Sequence, residues 1–376
     1  MVTGQNALKK MSANYPQPTT RPTEQHPAAA GLGSVSLAHV RRALAERPFE
    51  PHPLFVNGHA QTLAAYAWPR RFQLRAHRLD VERVFAIEEG VQLLAHCRWQ
   101  SEPRSAPTVV LVHGLEGSSS SIYILGTAAK AFRAGFNVVR LNLRNCGATE
   151  HLTPTLYNSG MSGDLNAVMN DLIERDHLRR IFIVGFSMSA NMALKLAGEA
   201  PGQLPTQLSG ICAVSPPVDL ATSAVALEAR ANWLYQQSFM RSLRRRMRYK
   251  QKLFPDLYDT KDIHLVRTIR EFDDRYTSIH GGYESAEDYY ARASSLPFIR
   301  HIQIPTLLIH AQDDPFIPFH SFRDPSLATT ASVIFLAPEH GGHVGFVAAD
   351  THGEDRFWAE NRIVQFCKLI DDARAA

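Results

Sequence analysis

The feature that most constrains this chain is a serine placed between a strand pattern and a helix pattern. Residues 181–186 read IFIVGF, an apolar run typical of a buried strand, and residues 190–198 have the composition of a helix. Residues 185–189 between them read GFSMS, which is similar to the G-x-S-x-G turn that presents a nucleophilic serine, here Ser187, at the end of a strand. The final glycine of that turn is replaced by Ser189, so the assignment of Ser187 as a nucleophile needs further support from the rest of the chain.

Other apolar runs place this turn in a predicted sheet. Five more runs alternate with helical patterns, which favours a mostly parallel central sheet flanked by helices, the α/β class. Before them, residues 81–99 alternate around a Glu-Glu-Gly turn and predict an antiparallel hairpin. The five runs are residues 108–114, 137–143, 210–217, 306–314 and 332–343. The predicted helices are a short one from Ser36 and those at residues 122–134, 162–175, 190–199 and 354–372.

Two segments interrupt or precede this alternation. Residues 218–303 contain a helical pattern and no clear buried strand. Since loops at the carboxyl ends of parallel strands form the site in open α/β sheets, we expect this insertion to be a helical cap or lid. Residues 1–37 are rich in Pro, Thr, Gln and Ala and predict a disordered tail, so the predicted domain is residues 38–376.

Composition excludes several functional classes. A net charge of +4 from 40 basic and 36 acidic residues is too small to indicate a nucleic-acid partner. The four cysteines are far apart and include no C-x-x-C pair, which disfavours a disulfide framework or a zinc site. No run has the apolar length of a signal peptide core or a membrane span. We therefore expect a cytoplasmic enzyme, with peripheral membrane contact left open.

The acid of a catalytic serine triad is expected at the end of a late strand. Serine needs an adjacent base, which a third group orients, in the chain order serine, acid, histidine. Asp313 and Asp314 end the run TLLIHAQ. Asp314 is favoured because it directly precedes an apolar turn that ends in a proline, and Asp313 is the alternative.

The base is expected after the last strand. His343 lies in the loop EHGGHVGF, whose glycines allow an imidazole to approach the serine closely. His340 is an alternative three residues earlier, and His310 is expected to pack within its strand.

Two backbone N–H groups are needed to bind the oxyanion. We assign the N–H of Met188, the residue after the nucleophile, and that of Leu115 in the loop HGLEG. His113 is expected to brace this loop rather than to act as a base. No metal-binding or nucleotide-binding motif is present, so the predicted chemistry needs no cofactor.

Two features depart from simple expectation. Ser189 and Ala190 add side chains where a glycine normally lets the helix pack closely on the strand, at a steric cost on the order of 1 kcal/mol. The helix should therefore stand off the strand or find room for both side chains.

The basic run at residues 241–252 is interpreted as a solvated helix face, with contact to an anionic lipid surface as the alternative.

Ordered blocks across the chain resemble the YheT-like branch of the α/β-hydrolases, which also contains the ABHD-type lipases. The resemblance implies an α/β-hydrolase fold and an esterase or lipase, with Ser187 as nucleophile, Asp314 as acid and His343 as base. The blocks are NGHAQTL (57–63), HGLEGSS (113–119), NLRNCG (142–147), LYNSG (156–160), GFSMSANMALKLAGE (185–199), residues 270–295, AQDDPFIP (311–318) and HGGHVGFV (340–347). Departures from that group's pattern are Asn145, Asn158, Ser189 and Ala190.

The function predicted from these residues is hydrolysis of a carboxylic ester through an acyl-enzyme. The expected partner is a small-molecule ester with an apolar acyl chain. One alternative is an acyltransferase that uses the same triad and passes the acyl group to an alcohol. Another, of a different class, is a non-catalytic protein that holds a small apolar ligand beneath the cap.

Overall fold

The computed structural model describes residues 37–68, Arg70, residues 80–349 and residues 353–375. The predicted tail, apart from Leu37, lies outside the described residues. Within them, the strands form one eight-stranded sheet in the order β1-β2-β4-β3-β5-β6-β7-β8. The strands are β1 Val81–Glu88, β2 Val91–Arg98, β3 Thr108–Val112, β4 Asn137–Leu141, β5 Ile181–Phe186, β6 Leu208–Val214, β7 Thr306–Ile309 and β8 Val333–Leu336.

The pairing of the strands confirms the predicted fold class. β1 and β2 form the antiparallel hairpin, and β2 is also antiparallel to β4. All pairings from β4 to β8 are parallel. Gly90 in the hairpin turn has a φ of 73°, a left-handed conformation that glycine adopts at little steric cost.

Helices cover both faces of the sheet, so its central strands are buried on both sides. Alternate residues of β3 belong to different cores: Val110 packs with one helical layer and Val109 with the other. Within the described residues, the helices before β6 and after β7 are α1 Leu37–Ala45, α2 Gly58–Ala67, α3 Ile122–Arg133, α4 Ser162–Asp176, α5 Met188–Glu199, α11 Pro325–Thr329 and α12 Trp358–Ala375. Helices α4 and α5 cover the first face, and α1, α3 and α12 cover the second.

Residues 218–303, here called the inter-strand region, connect β6 to β7. Its helices are α6 Leu220–Glu228, α7 Trp233–Leu253, α8 Ile269–Phe272, α9 Ser278–Gly281 and α10 Ala286–Ala293, and a π-helical turn spans Asp273–Thr277. Met240, Leu243 and Met247 of α7 face inward at helical spacing and form a separate small core. The role of this region as a cap stays a prediction.

The basic run on α7 divides into two sets of side chains. Arg241, Arg245 and Arg248 are exposed, as a solvated helix face requires. Arg246 instead forms a buried ion pair, and buried Lys250 donates to backbone carbonyls, including that of Glu150 at 3.1 Å. In the described part of the chain, no helix combines the length and apolar character needed to cross a membrane.

Candidate active site

Ser187 occupies a strained turn at the carboxyl end of β5. Its φ of 55° and ψ of −120° are unusual for a residue with a Cβ atom, and α5 begins at the next residue. The Ser187 N–H donates to the Val214 carbonyl at 2.8 Å, which anchors the turn to β6. The arrangement is that of a nucleophile elbow, in which the sharp turn presents the hydroxyl at the edge of the sheet.

Ser189 fits into the elbow without moving the helix away. Its hydroxyl donates to the Val112 carbonyl at 2.6 Å and accepts from the Phe186 N–H at 2.9 Å. Ser189 and Ala190 are both fully buried, and a Cβ added to Gly185 would lie 2.4 Å from the Ser189 carbonyl oxygen. Of the two arrangements expected at this turn, the structure therefore shows the one in which both side chains find room, and the serine bridges β3 and β5.

His343 lies within hydrogen-bond distance of both Ser187 and Asp314. His343 Nε2 is 2.9 Å from Ser187 Oγ, and His343 Nδ1 is 2.9 Å from Asp314 Oδ2. A carboxylate only accepts hydrogen bonds, so Nδ1 carries the proton and Nε2 is left to accept from the serine hydroxyl. The structure thus brings together the three residues that the sequence analysis selected.

Asp314 is held in its charged form in spite of its burial. Burial alone raises the pKa of this carboxyl group, but the charge and hydrogen bond of His343 outweigh it, so the pKa is lowered. The N–H groups of Phe316 and Ile317 also donate to Asp314 Oδ1, at 2.8 and 3.1 Å. His343 therefore does most to keep the acid charged, and the turn after β7 fixes its orientation.

The alternative acid and base pair with each other, away from the serine. Asp313 Oδ2 lies 3.3 Å from Nδ1 of His340, whose side chain is 40% exposed. Asp313 Oδ1 accepts from the Gly342 N–H at 2.9 Å and so braces the loop that carries His343. His310 is fully buried and stacks on Phe322, and burial lowers its pKa to about 4.

The loop after β3 approaches the elbow closely. A Cβ added to Gly114 would lie 2.9 Å from the Ser187 Cβ, so only glycine fits there. His113 holds this loop in place: its Nε2 accepts from the Leu143 N–H at 3.1 Å, and its Nδ1 lies 2.7 Å from the Gly114 carbonyl. Burial lowers the pKa of His113 to about 4, so the ring is a neutral brace.

Leu115 and Met188 contribute the two backbone N–H groups assigned to the oxyanion. Both residues line the cavity that contains Ser187. Neither N–H donates to a protein acceptor among the described residues. Both donors therefore remain available, and their role at the oxyanion stays a prediction.

Sequence analysis missed a buried ion pair between this loop and the inter-strand region. Glu116 follows Leu115 and accepts hydrogen bonds from Arg246 Nε at 2.8 Å, Ser242 Oγ at 2.5 Å and Tyr157 Oη at 2.7 Å. Burial raises the pKa of Glu116, but the attraction of Arg246 outweighs it and the pKa is lowered. The only sequence signal was the basic run, which does not distinguish Arg246 from its exposed neighbours.

A second missed feature is the support that α2 gives to the His343 loop. Thr62 Oγ1 accepts from the His343 N–H at 2.9 Å, and Gln61 Oε1 accepts from the Val347 N–H at 2.7 Å. A Cβ added to Gly58 would lie 1.9 Å from the Asp313 carbonyl oxygen. These contacts give a structural reason for the block NGHAQTL, to which the sequence analysis assigned no role.

A cavity of about 960 Å³, which includes its solvent-open part, joins the elbow to the inter-strand region. Ser187 and His343 lie on its sheet side, formed by the loops that follow the strands. Leu220, Leu243 and Phe272 are among the apolar residues that the inter-strand region contributes. The part of the cavity wall that the inter-strand region contributes is therefore largely apolar.

Comparisons with known proteins identify relatives of this chain. Residues 107–350 match the protein family described as alpha/beta hydrolase fold. The chain is 30% identical over 332 residues to YheT of Escherichia coli strain K12, a match that covers 87% of this chain and 95% of that protein. It is 31% identical over 274 residues to the monoacylglycerol lipase of Saccharomyces cerevisiae, covering 71% of this chain and 60% of that protein.

A solved structure shows the same fold. The Pyrococcus furiosus esterase Pf2001 aligns with a TM-score of 0.50 at 18% identity, over 77% of this chain and 92% of that one. At this identity the likeness shows the fold alone.

Proposed function

The chain belongs to the α/β-hydrolase family, in the YheT-like branch, and on that premise we propose that it hydrolyses carboxylic esters through an acyl-enzyme formed on Ser187. The single observation that carries this proposal is the position of His343, whose two ring nitrogens lie 2.9 Å from Ser187 Oγ and from Asp314 Oδ2. An imidazole held between a hydroxyl and a buried carboxylate is arranged for general-base catalysis.

In the proposed first half-reaction, Ser187 Oγ attacks the ester carbonyl carbon while His343 Nε2 takes the hydroxyl proton. Asp314 orients the ring and stabilises the imidazolium. The N–H groups of Leu115 and Met188 bind the oxyanion of the tetrahedral intermediate. His343 then returns the proton to the leaving alkoxide, so an alcohol departs and the acyl group stays on Ser187.

In the second half-reaction, water repeats the attack. His343 takes a proton from the water, hydroxide adds to the acyl carbon, and the intermediate collapses to a carboxylic acid while Ser187 regains its proton. The inter-strand region is proposed to act as the cap, with its apolar side chains holding the acyl chain and limiting the access of bulk water.

The test compares wild type with Ser187→Ala. Ester turnover should fall by about 10⁴-fold or more, because the nucleophile is lost, and labelling by a serine-directed phosphonate should disappear. Ser120→Ala is the matched control, since Ser120 is an exposed serine in the loop after β3, and it should keep turnover and labelling.

Two outcomes would overturn the proposal. Full turnover by Ser187→Ala would exclude the acyl-enzyme. A folded wild-type protein that the phosphonate does not label would favour the non-catalytic ligand-binding alternative.

A further inference from the structure

Asp273 is a carboxyl group in the cavity that the proposed mechanism does not use. It begins the π-helical turn Asp273–Thr277 and lines the same cavity as Ser187 and His343. The carboxyl group is enclosed by protein, yet the residue keeps part of its accessible surface. This combination is expected for a side chain on the wall of a cavity.

Two neutral hydroxyl groups donate hydrogen bonds to this carboxyl group. Thr277 Oγ1 donates to Oδ1 at 2.7 Å, and Tyr290 Oη donates to Oδ2 at 2.8 Å. The described residues include no ion pair to Asp273, and two nearby arginines are engaged elsewhere: Arg246 with Glu116 and Arg270 with Glu287. A carboxylate has about four acceptor positions, so about two remain open.

Keeping the carboxyl group of Asp273 charged without a counter-charge is unfavourable in these surroundings. Much of the cavity wall is apolar, and burial raises the pKa of Asp273 to about 6 against the two hydrogen bonds. An acyl chain gains nothing from such a group, whereas a polar substituent on the substrate would. The apolar lining residues include Leu115, Leu156, Leu220, Leu243, Phe272 and Phe316.

We propose that Asp273 accepts a hydrogen bond from a hydroxyl group of the substrate, and that it is therefore a specificity-determining residue that favours esters with a free hydroxyl over esters of equal size without one. This inference rests on the proposed ester hydrolysis. A hydroxyl suits the site better than an ammonium group, because it donates to a carboxylate and accepts from a carboxylic acid. A cation is favoured by the charged form alone.

The experiment measures kcat/KM for pairs of esters of equal size. One pair places the hydroxyl on the alcohol part: 2-hydroxyethyl octanoate against propyl octanoate. The other pair places it at the far end of the acyl part: methyl 8-hydroxyoctanoate against methyl nonanoate. Wild type should prefer the hydroxylated member of one pair by about 10- to 100-fold, the effect of a hydrogen bond to a charged group. The preferred pair shows which part of the substrate reaches Asp273.

Asp273→Asn should reduce that preference at least tenfold. Asp274→Asn is the matched control, because the adjacent Asp274 is exposed and accepts from the Ala286 N–H at 3.1 Å, and it should keep the wild-type preference. If Asp273→Asn fails to fold, the wild-type measurement still tests the inference. Equal kcat/KM values for the two members of both pairs would overturn it.

Three further results are distinguishable. A preference that survives Asp273→Asn unchanged would remove Asp273 from recognition, and a stronger preference for choline octanoate than for every hydroxylated ester would assign the site to cations. In both cases ester hydrolysis itself would stand. Failure of wild type to hydrolyse any of these esters would overturn the proposed function together with this inference.

Discussion

Asp314 on the sheet side of the cavity and Asp273 in the inter-strand region are both enclosed by protein, but their neighbours differ. Asp314 faces His343 and two backbone N–H groups, and its pKa is lowered in spite of burial. Asp273 faces two neutral hydroxyl groups, and burial raises its pKa to about 6. Burial raises the pKa of both carboxyl groups, so the presence or absence of a nearby charged group decides whether the net pKa is lowered or raised.

The two carboxyl groups therefore suit two different roles within one cavity. The proposed chemistry requires a negative charge on Asp314 behind His343; His343 itself does most to lower the pKa of Asp314, and the donors in the turn after β7 add to this effect. Selection among substrates requires an acceptor with unused capacity, which Asp273 retains. The Glu116–Arg246 pair is compensated in the same way as Asp314, and it joins the two sides of the cavity.

The largest expected effect is on the sheet side. Asp314→Asn should lower kcat for a simple alkyl ester by about 10⁴-fold, because the amide no longer holds the proton on His343 Nδ1. Steady-state kinetics and the rate of phosphonate labelling measure this loss. Asp313→Asn is the matched control and should lose less than about tenfold, since an amide oxygen still accepts from the Gly342 N–H. Equal losses in the two variants would contradict the assignment of Asp314.

The next largest effect concerns the Glu116–Arg246 ion pair, which joins the sheet side of the cavity to the inter-strand region. Glu116→Gln should lower the free energy of unfolding by about 3 kcal/mol or more, because Arg246 would remain buried without its main counter-charge. Denaturant unfolding at pH 7 measures this change. Glu287→Gln removes the exposed partner of Arg270 and should cost far less stability, because water screens an exposed ion pair. Similar costs in both variants would show that the inter-strand region is not held through Glu116.

The sheet and the three selected residues were accessible to sequence reasoning because each depends on local patterns. Continuous apolar runs mark strands buried on both faces, and the chain order Ser187, Asp314, His343 is the one expected for this fold. The remaining contacts join distant positions: Glu116 meets Arg246, and Thr62 meets His343. Nothing in the local pattern of a basic helix or a glycine-containing turn shows which side chain will be buried against which partner.

Asp273 should make stability depend on pH with a sign opposite to that of Asp314. Its folded pKa of about 6 lies above the ordinary value of 3.8, so the folded state binds the proton more tightly. The stability it contributes is present below the unfolded pKa and is lost as the pH rises through about 6. Asp314, with a lowered pKa, contributes stability that is lost as the pH falls.

Denaturant unfolding of wild type and Asp273→Asn between pH 4.5 and pH 7.5 measures this dependence. Wild type should lose about 2 kcal/mol relative to the variant as the pH rises across this range. Tyr290 and Thr277 donate to the group, Tyr289 interacts with it electrostatically, and Arg270 acts on Tyr290, so all four are kept unchanged. A wild type that gains stability over the variant with rising pH would mean that the carboxyl group has a cationic partner.

The smallest effect tests whether Ser189 strains the elbow or supports it. Ser189→Gly restores the more usual turn and would stabilise the fold if the serine were crowded. The hydroxyl instead joins the Phe186 N–H to the Val112 carbonyl, so the variant should lose about 1 kcal/mol of unfolding free energy. Ser189→Ala keeps the Cβ, removes the hydroxyl and should lose a similar amount. A stabilised Ser189→Gly beside a destabilised Ser189→Ala would show that the Cβ is crowded although the hydroxyl is useful, and the sheet side would then carry strain at both Ser187 and Ser189.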